Sequence, residues 1–526
     1  MVPPAAASRS SKLAALCERT LSGGLNPRYR VSNSGPIRSL NVQATTQAGK
    51  LKTIDDLPGP SLPRTLYLLF IKGYADKSHL LQGVQKGFYG PIWRTRIGPY
   101  DIVNVASPQF ISQVIQQEGR YPVRAELPHW KEYLDLRRRA YGLHVNTGPE
   151  WYRIRSALNP KMLKLREVSV FAPVIQEVVG DLLRRVELLR KRSPDQTTVS
   201  DMAAELYKFG FEGISSILFE TRLGCLQEEI PEDTLRFISA VGDMMTLSEV
   251  VVLFPDWSRG ILPFWKRFVK AWDDLFGVAQ KLIDGRVAQI EAQVRSGESV
   301  EGMYLTHLLS SGKLSRAEVN ICVTELLLGG VDTTSNTLSW ALYHLARDRR
   351  VQERLYGEVN SVCPGGREPT TEDLSGMPYL KAVIKETLRL YPVVPGNGRF
   401  ISENEVVVGD YWFQKKTQFH LCHYVACHDE SEFVDAELFI PERWLRADAP
   451  GSGYYLHHPY SFIPFGVGVR ACVGKRVAEM EMYFALCRLM QKYEVRVEEG
   501  APVVEPKTRT LLIPAKPINL RFLPRA

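Results

Sequence analysis

The amino-acid sequence predicts a mainly α fold with a minor β portion, built as a single large domain. Three features predict it. The chain has 526 residues, 44% of them hydrophobic, which is ample for a sizeable buried core. Between about residues 150 and 360, apolar residues recur at spacings of three and four, the period of a helix with a buried face. Alternation with a period of two is confined to Ile92–Ile97, Asp101–Ala106, residues 405–422 and the C-terminal end. Charged residues at 24% and aromatics at 10% exclude a disordered or collagen-like chain.

In chain order, residues 1–53 come first as a basic tail. The net charge of +8 rests almost wholly there: eight basic residues and one acid, Glu18, leaving 58 basic against 57 acidic in the rest. No nucleic-acid partner is therefore expected. The tail is Arg- and Ser-rich, and Ser11 to Leu21 fit a short basic amphipathic helix, the composition of a mitochondrial presequence. A membrane-spanning helix needs about 20 consecutive apolar residues, and the sequence has no such run. Residues 54–526 then make the domain. Leu57-Pro-Gly-Pro-Ser-Leu-Pro63 is a stiff hinge, followed by an amphipathic stretch from Thr65 to Gly83. Helical periodicity marks Val170–Leu189, Met202–Leu218 and Trp272–Val294. Ser315 and Glu318 form a capping box opening a long apolar helix to about Ala346. A shorter helix covers Pro378–Leu390, residues 457–470 form a Pro/Gly-rich loop, and Gly474–Tyr493 is again helical. The eight cysteines are too dilute for a disulfide framework. Cys422-His423 and Cys427-His428 lack the spacing of a zinc site or of covalent haem attachment.

The most informative segment is Phe465-Gly-Val-Gly-Val-Arg-Ala-Cys-Val-Gly474. At background frequencies F-x-x-G-x-R-x-C-x-G arises in fewer than about one in 10,000 chains of this length. Each element suits a thiolate bound to iron. Gly466, Gly468 and Gly474 allow tight turns close to a flat macrocycle. Cys472 precedes a helix N-terminus, where amides favour ionised sulfur. Arg470 offers a cation to a propionate, and Phe465 packs beside the sulfur and limits water. The segment resembles the haem-binding loop of the cytochrome P450 superfamily. That resemblance implies haem b with an axial cysteine thiolate, lying between the Cys472 loop and the long helix carrying Gly329-Gly330-Val-Asp332-Thr333-Thr334.

Two glycines inside that helix cost roughly 1 kcal/mol each relative to Ala, so they need a reason. The Thr333 and Thr334 hydroxyls compete for backbone carbonyls and are expected to open the helix locally. Adjacent residues point about 100° apart, so Asp332 and Thr333 face differently. This suits a relay in which Thr333 serves the haem side and Asp332 draws protons from the solvent side, the role the resemblance gives the matching acid–alcohol pair. It also implies that Trp151, Arg155 and Arg399 bind haem propionates. Glu386 and Arg389 would join Arg443 in a buried structural network that braces the cysteine loop. Glu150 and Arg153 repeat the E-x-x-R spacing of that pair.

Lys381 and Lys385 lie at i and i+4 on one helical face. With Lys475 and Arg476 they would form a cationic patch for an acidic electron carrier. The resemblance implies an adrenodoxin-type ferredoxin fed by an NADPH-ferredoxin reductase. Tyr121-Pro-Val-Arg124, His129-Trp-Lys-Glu132, Ile230-Pro-Glu-Asp233, Leu262-Pro-Phe-Trp-Lys-Arg267 and Thr333-Thr-Ser-Asn-Thr-Leu338 look like family 27 of the mitochondrial enzymes, on its sterol side-chain-hydroxylating branch. Pro395-Gly-Asn-Gly-Arg399 looks more like a retinoid-desaturating sister branch. The expected activity is a monooxygenase acting on sterols at the matrix face of the inner membrane, with peripheral membrane association. The alternatives are a retinoid desaturase and a non-catalytic haem-binding sensor or carrier. Leu253 to Trp265 is apolar and aromatic enough to dip into a bilayer.

Overall fold

Ser315 starts the helix around which the rest is built. Its side chain accepts from the Glu318 amide, and the Glu318 carboxylate accepts from the Ser315 amide at 2.8 Å, closing the capping box. Arg316–Arg347 then run as one helix. Every residue from Ile321 to Tyr343 is buried except Gly329, Gly330 and Thr333. A helix buried on all sides must be surrounded, and helices Met202–Phe219, Pro263–Ser296, Pro378–Leu390 and Lys475–Lys492 pack around it. Ala172–Arg192, Glu232–Val251 and Arg349–Val362 form an outer set with exposed faces.

These features belong to a computed structural model, which describes residues 51–97, 100–125, 127–297, 302, 304–401, 403–448 and 457–525. The expected presequence lies outside the described residues, except for residues 51–53. Leu51–Ala526 form one compact unit. Its largest sheet has five strands, in the order Ile92–Ile97, Tyr100–Val105, Thr417–Leu421, Asn397–Ile401 and Val123–Arg124. All neighbours are antiparallel except Tyr100–Val105 and Thr417–Leu421, which run parallel. Val103, Val105, Phe419 and Leu421 of this sheet, with Phe413 of a neighbouring hairpin, belong to a second core separate from the helical one. A hairpin, Pro506–Arg509 with Leu511–Pro514, ends near the helical core.

The predicted class holds, with local differences. The amphipathic stretch from Thr65 to Gly83 divides into two helical pieces. A helix at Leu62–Leu66 continues as a π-helical turn to Ile71, stops at Gly73 (φ +72°), and a new helix covers Ser78–Tyr89. Residues 405–422 divide in the same way, into a hairpin, Val406–Val408 with Tyr411–Phe413, and a strand that joins the main sheet. Helices Pro108–Gln116 and Pro128–Leu136 are too short for periodicity to reveal; each has proline in its first turn.

Candidate haem-binding site

Cys472 sits in the turn leading into helix Lys475–Lys492, and its amide donates to the Phe465 carbonyl at 2.7 Å. Gly466 and Gly468 take φ values of +67° and +69°, a region other residues disfavour. Gly474 takes φ −88° in the turn after Cys472 and caps the helix. Burial, the strongest influence, raises the proton affinity of the Cys472 thiol. The Gly474 and Lys475 amides and the Arg124 and Arg155 cations oppose that rise. A coordinated metal ion would complete the ionisation. Phe465 is half-buried, with Lys475 5.4 Å from its ring centroid.

Four arginines gather around this sulfur. Arg155, Arg399 and Arg470 are buried and Arg124 is half-buried. Arg155 donates to the Ala471 carbonyl at 2.7 Å; Arg470 donates to the Pro122 carbonyl at 2.6 Å and stacks 3.6 Å over the buried Trp151 ring. Glu118 pairs with Arg399, and the other three are held mainly by carbonyls. Arg124 lies opposite Arg399 across two antiparallel strands, where like charges are destabilising. Burial, then repulsion by the other arginines, lowers the Arg470 pKa to about 9. Burial, then Arg399, lowers that of Arg124 to about 10. Buried cations want counter-charges, and the two carboxylates near them, Glu118 and Glu325, cannot match four. Two propionates fit this excess. Arg124 also feels Cys472 and Glu325 of the central helix, which puts loop, arginines and helix in one neighbourhood. Sequence reasoning missed Arg124 as a site residue, because only the strand register reveals its position opposite Arg399.

On the central helix the two glycines have different reasons. A Cβ at Gly330 would come 2.7 Å from Ile214, so the crossing with helix Met202–Phe219 requires glycine; at Gly329 nothing lies within 4 Å. Gly329, Gly330 and Thr333 are thus the helix's accessible spots in its buried stretch. Thr333 Oγ1 donates to the Gly329 carbonyl at 2.7 Å, yet the helix stays continuous, which corrects the expected opening. Asp332 faces away and is only 1% exposed. Its carboxylate accepts from Tyr207 OH, from Asn336 Nδ2 at 2.9 Å, and from Arg509 Nη2 at 3.2 and 3.3 Å. It meets an arginine where the sequence suggested solvent.

Glu386, Arg389 and Arg443 meet in one buried cluster. Arg389 donates to Glu386 at 2.8 and 3.0 Å, Arg443 at 3.0 Å and Trp444 Nε1 at 2.8 Å. Arg389 also reaches the carbonyls of Cys427, Ala436 and Leu438. Cys427 Sγ donates to the Ser461 carbonyl at 3.3 Å, and the Trp444 ring packs 4.4 Å from that of Phe462. The network therefore meets the start of the cysteine loop. Among the described residues no three His, Cys, Asp or Glu side chains converge in a way that could hold a metal ion. Burial and then Lys475 and Lys381 lower the Lys385 pKa, while Glu479 opposes them, so three patch lysines share one locality. Glu479 also pairs with Arg476 at 3.2 Å.

Residues 57–522 match the Cytochrome P450 family, and the chain belongs to it. It is therefore a monooxygenase that uses haem with a cysteine thiolate ligand. Among its relatives, it is 46% identical to the mitochondrial sterol 26-hydroxylase of Rattus norvegicus, over 90% of each chain. Identity to the human sterol 26-hydroxylase is 44%, again over 90% of each. The mitochondrial 25-hydroxyvitamin D-1 alpha hydroxylase of Homo sapiens is 41% identical, over 90% of this chain and 93% of that one.

Proposed function

We propose that this enzyme hydroxylates the side chain of sterols in mitochondria, its substrates being cholesterol, bile-acid sterol intermediates or vitamin D. The observation that carries the reading is the match, across nine-tenths of both chains, to proteins named for that reaction. Bound through the Cys472 thiolate, haem supplies activation of dioxygen and insertion of one oxygen atom into an unactivated C–H bond. The protein supplies the rest. Cys472 Sγ is the ligand, set by the Gly474 and Lys475 amides. Arg124, Arg155, Arg399 and Arg470, with Trp151 beneath Arg470, hold the propionates. Thr333 Oγ1, on the accessible face of the central helix, delivers protons, and Asp332 on the other face resupplies them. Glu386, Arg389 and Arg443 keep the loop in place.

Electrons come from an adrenodoxin-type ferredoxin, itself reduced by an NADPH-ferredoxin reductase, at Lys381, Lys385, Lys475 and Arg476. Residues 1–53 act as the presequence, and the enzyme associates peripherally with the matrix face of the inner membrane. No described helix is long and apolar enough to cross a membrane. Leu253, Phe254, Trp257 and Ile261 are exposed, the last two to 75% and 74%, whereas Phe264 and Trp265 turn inward onto the core. The outward group supports membrane contact and lipophile entry. The glycines of Pro395–Arg399 have a packing reason: a Cβ at Gly398 would meet Ala125 at 2.2 Å, and one at Gly396 would meet His420 at 2.3 Å.

A spectral titration of the holoenzyme tests the substrate class. Sterols and secosteroids should shift the haem band at lower concentration than retinoids; the reverse order would overturn the assignment. In a reconstituted ferredoxin assay, turnover should fall with ionic strength. Lys381→Glu with Lys385→Glu should remove that dependence, and an unchanged dependence would dismiss the patch.

A further inference from the structure

Asp332 is held by a residue 177 positions further along the chain. Arg509 Nη2 contacts both carboxylate oxygens and also Tyr207 OH at 3.1 Å. Arg509 ends one strand of the C-terminal hairpin, which turns at Thr510 with φ +57°. Helix Glu232–Val251 grips that turn: the Thr510 amide donates to Glu249 Oε1, and Thr510 Oγ1 donates to the Met245 carbonyl at 3.1 Å. One turn earlier, the Cβ position of Gly242 lies only 3.0 Å from Arg509 Nη1. Glycine inside a helix costs roughly 1 kcal/mol, and a larger residue here would press on the guanidinium. The same helix runs directly into the exposed apolar segment Leu253–Ile261. An unbroken series of contacts thus joins the surface proposed for lipophile entry to the acid beside Thr333.

We infer that Arg509 is a positioning residue that couples helix Glu232–Val251 to the handling of protons by Asp332. The inference rests on the proton role proposed above for Asp332 and Thr333. Without the guanidinium the buried carboxylate loses its counter-charge, takes up a proton and no longer resupplies Thr333. A shift of the helix acts on the same contact from outside, because it carries both the Thr510 anchors and the Gly242 notch.

The test compares Arg509→Gln, Arg509→Lys, Asp332→Asn and the Arg509→Gln/Asp332→Asn double variant as holoenzymes with ferredoxin, reductase and a sterol. Arg509→Gln should keep the thiolate carbon-monoxide band and the substrate-induced spectral shift. It should lower kcat roughly tenfold with little change in KM, and raise hydrogen peroxide released per NADPH. Its difference infrared spectrum should gain a protonated-carboxyl band that the double variant lacks. Arg509→Lys should restore most of the coupling. In the Asp332→Asn background, Arg509→Gln should add nothing, because it acts through the missing carboxylate. Additive losses, or a variant with normal coupling and no new carboxyl band, would overturn the inference alone. If Asp332→Asn itself leaves turnover fully coupled, the proton role falls, and the inference with it.

Discussion

Two helices carry the same four-residue spelling, and they use it in opposite ways. Glu150 and Arg153 meet at 2.9 Å with side chains 65% and 42% exposed. Glu386 and Arg389 meet at 2.8 Å with both side chains fully enclosed. The exposed pair also touches the capping-box carboxylate of Glu318 and the Lys313 carbonyl, both at the start of the central helix. The buried Glu386 accepts from Arg389 twice, from Arg443, from Trp444 and from the Ile440 amide. A sequence motif of this kind specifies only that two charges share a helical face. Its meaning comes from what closes over them: solvent weakens one pair, and the second arginine and the carbonyls make the other a structural joint.

The largest effect is expected from breaking the enclosed pair. Glu386→Gln leaves two buried guanidiniums without their carboxylate and should cost about 3–5 kcal/mol. Denaturant unfolding would read the loss, and the variant should retain haem poorly. A cost near that of a surface pair would show that the joint is not structural.

Burial that outweighs any nearby counter-charge is the intermediate case. Burial, then the His428 and Lys77 charges, lowers the His79 pKa to about 4. Burial, then Arg259, lowers that of His129 to about 4. The unfolded chain titrates near 6.5, so between about pH 4 and 6.5 it binds more protons than the native state. Stability is therefore full above that window and is lost as pH falls through it, by on the order of 1–3 kcal/mol per histidine. His79→Gln with His129→Gln should make the acid limb of a stability–pH curve less steep, the buried His344, His420, His423 and His428 supplying the rest; an unchanged slope would show that these two contribute nothing. The smallest effect belongs to the exposed pair. A double-mutant cycle on Glu150 and Arg153 should give less than about 1 kcal/mol and fade in high salt.

The same distinction explains what the sequence could reveal. Helix Pro378–Leu390 begins and ends where expected, because proline in its first turn and Tyr391-Pro392 beyond it are local signals. The Ser315 capping box and the strained glycines beside Cys472 were legible for the same reason. Glu386, Arg389 and Arg443 were legible through a family resemblance, not through spacing, since Glu150 and Arg153 have that spacing too. Arg124 and Arg509 were not legible as site residues. Their roles depend on a strand register and on a contact with a distant hairpin, neither of which leaves a local pattern. Asp332 was found, but its surroundings were not: helical geometry turned it away from Thr333, and only the folded chain shows a half-buried arginine there.

The account depends on sulfur at position 472 as the iron ligand. The most direct measurement is the carbon-monoxide difference spectrum of the ferrous protein before and after Cys472→Ser. The native enzyme should show the red-shifted band of thiolate-ligated haem, and the variant should lose it while its buried brace keeps it folded. An unchanged band in Cys472→Ser would contradict the assignment.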